Sequence, residues 1–257
     1  MTDDIDEAHD WLGNEIDCAA CAHALLLTAE RCRLKHACVN DRYARRIDRF
    51  FDWNPELADG HVKHPHFEVR AIAAKHANLF LLPPMLEDPE ETVRWNAARR
   101  LPKRLVLRLR ADPHREVRIR IATLLDSDEL VPMIQDKDYY VRLVVARRIA
   151  PFLLSRLMHD EEAEVRRVVA RRIPNDWLLG MTNDADATVR VEIAQRLSPD
   201  LLTALRRDPD WRVRYEVASR VAVAQLSGLI EDEDAMVQEV ARSRVAVRSE
   251  RPTGSRT

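Results

Sequence analysis

Asp136-Lys137-Asp138-Tyr139-Tyr140-Val141-Arg142-Leu143-Val144-Val145-Ala146-Arg147-Arg148 decides the fold, because its skeleton returns one period later as Asp160…Val165-Arg166…Ala170. The Val-Arg pair stands at Val69, Val93, Val117, Val141, Val165, Val189 and Val213, and an eighth copy reads Val237-Gln238, so the 24-residue period never slips. Five residues before each Val comes Asp88, Asp112, Asp136, Asp160, Asp184, Asp208 or Asp232, with His64 in the first copy. Five after it comes Ala74, Ala98, Ala122, Ala146, Ala170, Ala194 or Ala218, with Arg242 in the last. Eight units span residues 61–252, and self-similarity at such a period is the mark of a stacked repeat protein.

Each repeat predicts two helical pieces. The first begins near the Asp, often followed by Pro (Asp88-Pro89, Asp112-Pro113, Asp208-Pro209), which reads as an N-cap with proline at the first helical position. Apolar residues at Val, four, five and eight positions on make a helical stripe. Pro102, Pro151, Pro174 and Pro199 mark where it stops. Only about six or seven residues remain for the second piece, which suits two turns at most, 3₁₀ in character. Neither piece buries a core alone, so neighbouring repeats must stack, with the alanine column allowing close approach. Arg242 and Gln238 break the two columns in the last copy, where no further repeat covers them. The segment 253–257 reads as a disordered tail.

Composition agrees with an all-α protein. There are 5 glycines in 257 residues, too few for a sheet protein rich in tight turns. The net charge of −2 excludes a strongly basic nucleic-acid binder on that criterion, and 46% hydrophobic residues exclude a disordered acidic chain. Residues 1–60 carry 13 acidic and 7 basic side chains, an acidic head on a slightly basic body. The acidic start Met1–Glu7 does not read as a signal peptide, and no apolar run approaches membrane-spanning length, so the expected location is the cytoplasm.

All four cysteines fall in that head: Cys18-x₂-Cys21-x₁₀-Cys32-x₅-Cys38. Reduced thiols clustered this way suit a metal site better than disulfides. By count they serve a tetrahedral zinc or a cubic iron–sulfur cluster equally well. The surround Asp17-Cys18-Ala19-Ala20-Cys21-Ala22-His23 looks helical, without the glycines of a zinc knuckle. His23 and His36 are substitute ligands by type, and His61, His64 and His66 form a second small cluster read as packing and surface.

The Asp…Val-Arg…Ala signature followed by a leucine-rich half resembles the leucine-rich repeat variant family. HEAT repeats share the signature, but a 24-residue period is too short for them. The resemblance implies a right-handed superhelical solenoid of alternating α and 3₁₀ helices without a sheet. Some members of that family carry an N-terminal cysteine segment binding a [4Fe–4S] cluster. The head over 1–60 looks like that segment, which implies Cys18, Cys21, Cys32 and Cys38 as ligands, with zinc as the alternative.

The arginine column (Arg94, Arg118, Arg142, Arg166, Arg190, Arg214) has two readings. One is a ladder of exposed Asp–Arg pairs between repeats, contributing roughly 0–1 kcal/mol each. The other is an electropositive partner-binding strip. Catalytic signatures are missing: no Gly-x-Ser-x-Gly, Walker, Gly-x-Gly-x-x-Gly or His-Glu-x-x-His motif occurs. Trp11, Trp53, Trp95, Trp177 and Trp211 share no column and read as core. The expected function is a non-enzymatic scaffold for a protein partner, its cluster structural or redox-sensing. The alternative is a cluster-gated nucleic-acid binder using the arginine line. Neither a membrane nor a small-molecule substrate is expected as a partner.

Overall fold

The computed structural model describes residues 7–249. The expected tail at 253–257 lies outside them. Among the described residues there is no β-strand, only two isolated bridges, His9 with Glu15 and Arg33 with Ala37. The chain divides into two compact units, the first ending at Leu125 and the second beginning at Asp126.

In the first unit, short α1 (Ala24–Thr28) leads through the cysteine loop to α2 (Ala44–Trp53), and a 3₁₀ segment Pro55–His61 joins α2 to α3 (Phe67–His76), the helix of the first repeat. Ile47, Phe50, Phe51 and Ala58 form the core of this head, and α2 packs directly on α3. Helices Glu91–Ala98 and Arg115–Leu124 stack on in turn. In the second unit the helices are Tyr139–Arg148, Ala163–Arg172, Ala187–Arg196, Trp211–Arg220 and Ala235–Ser249, each against the next. Between them run short pieces such as 3₁₀ Leu107–Ala111, Pro151–Leu157 and Leu202–Leu205. The expected alternation of α and 3₁₀ helix is present in both units.

The buried columns are those of the sequence pattern. Each repeat Val and each Ala five residues on is buried, as are Leu82, Leu130, Leu154, Leu178, Leu202 and Leu226 in the second piece. Fully burying such a Val or Leu contributes about 1.5–3 kcal/mol. The tryptophans differ from expectation: Trp53, Trp177 and Trp211 are exposed rather than core.

The start of each helix also differs. The repeated Asp sits two residues before the cap, not at it. Its Oδ1 accepts the amide of the capping residue, as in Asp88 from Glu90 (3.0 Å), Asp160 from Glu162 (2.9 Å) and Asp208 from Asp210 (2.8 Å). The cap itself is Asp138, Asp186 or Asp210 in several repeats, accepting from the helix's own first-turn amides. The carboxylate of the column Asp also meets the neighbouring repeat.

It meets the arginine column. Arg94 donates through Nε and Nη2 to both oxygens of Asp112, 18 residues ahead, at 2.7 Å each. Arg142 does so to Asp160, Arg166 to Asp184, Arg190 to Asp208 and Arg214 to Asp232, all between 2.7 and 2.9 Å. The remaining nitrogen, Nη1, donates back to the carbonyl of the Asp six residues earlier, as in Arg94 to Asp88 and Arg118 to Asp112. Hydrogen bonds donated to the paired Asp carboxylates raise Arg94, Arg142, Arg166, Arg190 and Arg214 above their ordinary pKa. The partner-binding strip expected of these arginines is corrected here: Arg94, Arg118, Arg142, Arg190 and Arg214 are buried, and Arg166 is half-buried in the same contacts. Nor are the pairs exposed, so the small surface value does not apply to them. A fork with two parallel bonds and a backbone carbonyl behind it is a structural clamp.

A second arginine column works in the opposite direction. Arg196 donates to the carbonyl of Ala170 (2.8 Å) and Arg244 to that of Ala218 (2.7 Å), while Arg172 and Arg220 reach Ile149 and Leu197 (2.9 and 2.8 Å). These are carbonyls at the end of the preceding helix, which have no partner within it. Repeats that carry both arginines, such as those of Arg166/Arg172 and Arg190/Arg196, are thus clamped forward through Asp and backward through a helix end.

Candidate metal centre

Local turns bring the four cysteines together. Asp17 Oδ1 accepts the amides of Ala19 (2.8 Å) and Ala20 (3.3 Å), bending Cys18–Ala20 into a non-helical loop that ends where α1 begins. The helical reading of this stretch is corrected: Asp17 competes for the backbone and wins. Cys32 and Cys38 flank the Arg33–Ala37 bridge, whose reciprocal bonds (2.9 and 2.8 Å) close a turn over Leu34–His36. Lys35 adopts a left-handed φ of 64° there, and Glu30 one of 57° just before. The turn is anchored to the rest of the head. Asn54, buried, donates from Nδ2 to the carbonyls of Arg31 and Phe50 at 2.8 Å each, and Arg31 pairs with Glu56.

Cys38 is buried, at 4% exposure, and the other three are half-buried. Burial raises the Cys18 thiol, with the neighbouring Cys21 and Asp17 adding to it. Burial likewise raises Cys32, followed by the fields of Cys18 and Cys21. Burial pushes Cys38 up to about 12, with Cys32 and Cys21 contributing. The four groups therefore feel one another across the loop. Without a metal Cys18, Cys32 and Cys38 hold their protons, and metal binding has to displace them.

Two donors already point at sulfur. The His23 amide lies 3.3 Å from Cys21 Sγ and Asn40 Nδ2 lies 3.4 Å from it. Such bonds stabilise a thiolate and tune a bound cluster. Asn40 is missing from the sequence reading; its place two residues after Cys38 is the only signal. The histidines are turned elsewhere. His23 Nε2 faces His61 Nε2 at 3.4 Å, and His36 Nδ1 faces Arg49 at 3.2 Å. His64 and His66 pack around Trp11, with centroids at 4.9 and 5.4 Å.

Among the described residues, no three His, Cys, Asp or Glu side chains are gathered tightly enough to hold a single ion. Tetrahedral zinc with bonds of about 2.3 Å needs its sulfurs roughly 3.8 Å apart. A cubane, in which each thiolate takes a different iron, needs them further apart. The donor set of four thiols, two of them from one short loop and two from one turn, is the set a cubic cluster takes, and zinc takes the same set.

Three likenesses bear on this reading. The family model described as "LRV protein FeS4 cluster" matches residues 8–60, all four cysteines included. A solved structure of a leucine-rich repeat variant with a novel repetitive structural motif is 39% identical, with a TM-score of 0.83, covering 89% of this chain and 98% of that one. An uncharacterised 27.7 kDa protein of the nifB 3′ region of Rhodobacter capsulatus is 49% identical over 96 residues, 37% of this chain and 39% of that protein.

Proposed function

The chain belongs to the leucine-rich repeat variant family, and from that premise we propose that it is a non-enzymatic, cytoplasmic scaffold whose repeat surface binds a protein partner and whose head holds a [4Fe–4S] cluster. The observation that carries the cluster is the convergence of Cys18, Cys21, Cys32 and Cys38 with two N–H groups already aimed at Cys21. These residues would hold one iron each. The cluster would supply a rigid cross-link and a one-electron redox centre.

The primary role we assign is structural. The loop from Cys18 to Cys38 contains little regular structure, and a bound cluster would join its two halves. Redox sensing is the second reading, favoured by the half-buried Cys18, Cys21 and Cys32, which solvent-borne oxidants can approach. Nucleic-acid binding through the Val-Arg line loses its basis, since those arginines are occupied by Asp and backbone carbonyls. Among the described residues no helix is long and apolar enough to cross a membrane.

An anaerobic pull-down from native extract, with and without nuclease, tests the scaffold. A protein captured equally in both arms supports it. Capture of nucleic acid alone, abolished by nuclease, overturns it.

A further inference from the structure

The α-helices carry a repeating contact that neither arginine clamp uses. In the second unit the residue six after Val165 or Val189 meets the residue three after the next Val, 21 positions on. Arg171 pairs with Glu192 in this way, joined by Arg167 at 3.1 Å, and Gln195 Nε2 donates to Glu216 at 3.2 Å. In each case a donor meets a carboxylate. The same two positions in the first unit are held by Arg99 and Arg120, two cations. Both guanidinium groups lie over the ring of Trp95, at 5.9 and 5.5 Å from its centroid. Among the described residues neither has a carboxylate within ion-pair reach, and both are exposed.

Their surroundings do not supply the missing charge. A groove of about 210 Å³ beside them is lined by Lys75, Asn96, Arg99 and Arg100. In the first three repeats the four positions facing this way (two, three, six and seven after Val) contain no Asp or Glu. Arg100 is taken by the carbonyls of Ala74 and Ala77, but two other cations of this face meet carboxylates. Lys75 Nζ meets Asp48 at 2.7 Å and His76 lies 3.9 Å from Asp52, both acids standing on α2, a helix packed against the first repeat.

We propose that Trp95, Arg99 and Arg120 form a docking site for an acidic peptide segment of a partner protein, whose carboxylates take the place that Glu192 holds beside Arg171. The proposal rests on the scaffold reading and names the chemistry of its partner. Trp and Arg together are the composition of interface hot spots. A guanidinium held over an aromatic face keeps its planar fork oriented, so less freedom is lost when a carboxylate arrives. α2 offers the precedent, a helix whose Asp48 and Asp52 meet Lys75 and His76 of the first repeat.

The test uses the full chain and a fluorescent 12-residue peptide of alternating Glu, Asp and Leu. Its Gln/Asn counterpart and a 12-nucleotide oligo-dT serve as the comparison probes. The acidic peptide is expected to bind, at least tenfold more tightly than either comparison probe, and to weaken as salt rises. The double variant Arg99→Gln/Arg120→Gln is expected to lose at least tenfold, while Arg212→Gln, a charge removed elsewhere, changes little. Arg120→Glu recreates the Arg–Glu pairing of the later repeats. It is expected to lose peptide binding while raising the denaturation midpoint, which separates occupancy of the site from misfolding. No binding of the acidic peptide, equal binding by the variants, or preference for oligo-dT overturns the proposal. In the pull-down, a partner retained by the double variant would leave the scaffold standing and remove this surface. No partner for the wild type would remove the scaffold whatever the peptide does.

Discussion

Replacing Asp208 by Ala probes the forward clamp at a buried pair. Asp208 is buried, accepts Nε and Nη2 of Arg190 at 2.7 and 2.9 Å, and accepts the Asp210 amide at 2.8 Å. Alanine removes three bonds at once and leaves the Arg190 guanidinium buried, with only the carbonyls of Asp184 and Ala185 on Nη1. Stranding one partner of a buried pair costs about 3–5 kcal/mol. An exposed pair would cost about 0–1 kcal/mol. Urea denaturation followed by far-ultraviolet circular dichroism reads the difference. Stability in a repeat array is a sum over neighbouring contacts, so the curve should also broaden or split as one junction weakens. Asp208→Asn keeps one oxygen for the Asp210 amide and should fall between the two. The double replacement Arg190→Met/Asp208→Leu should recover most of the loss, because a matched apolar pair strands no charge. A loss below about 1 kcal/mol for Asp208→Ala would refute the clamp, since that is the value of a solvated pair.

Ala146→Leu adds bulk at a fully buried position of the small-residue column and should cost roughly 1–3 kcal/mol, visible as a lower urea midpoint. Acid should unfold the repeats in a defined window. Arg214 bonding holds Asp232 below its ordinary value and Arg212 bonding holds Asp210 at about 2. A depressed folded pKa gives stability that is present above the unfolded value of about 3.9 and lost as pH falls through the folded one. Stability contributed by these groups should be flat above about pH 5 and decline from about pH 4 towards 2, and a pH–denaturation series with no decline there would contradict it. Cys32→Ser should lose the cluster, because a hydroxyl is a poor ligand for iron, and should leave the helical signal of the repeats largely intact. Loss of the whole helical signal would show the head to be required for the repeats to fold.

The repeat is legible because its core columns admit few residue types. Val, Ala and Leu positions recur where helices press together, and a 24-residue spacing leaves room for only a short second helix. The helix start is not legible, because Asp-Pro has two uses. Here Asp88, Asp112 and Asp208 bond the capping amide from two residues upstream, and the carboxylate faces the next repeat instead. The periodic arginines are ambiguous for a similar reason. A line of Arg looks the same in sequence whether it faces solvent or the Asp of the following repeat. The cysteine ligand set is visible as spacing, but Asn40 is not, because one amide aimed at one sulfur leaves no pattern. The placement of Arg99 and Arg120 over Trp95 becomes apparent only once the 21-residue register is known from Arg171 and Glu192.

What the cysteine head binds decides between a cluster and a single ion. Protein purified without oxygen should be brown, with visible absorption that bleaches on reduction, and should contain iron and acid-labile sulfide in equal amounts, about four of each per chain. A colourless preparation holding one tightly bound zinc and no sulfide would contradict the cluster while keeping its ligands, and a preparation with neither metal would contradict the site.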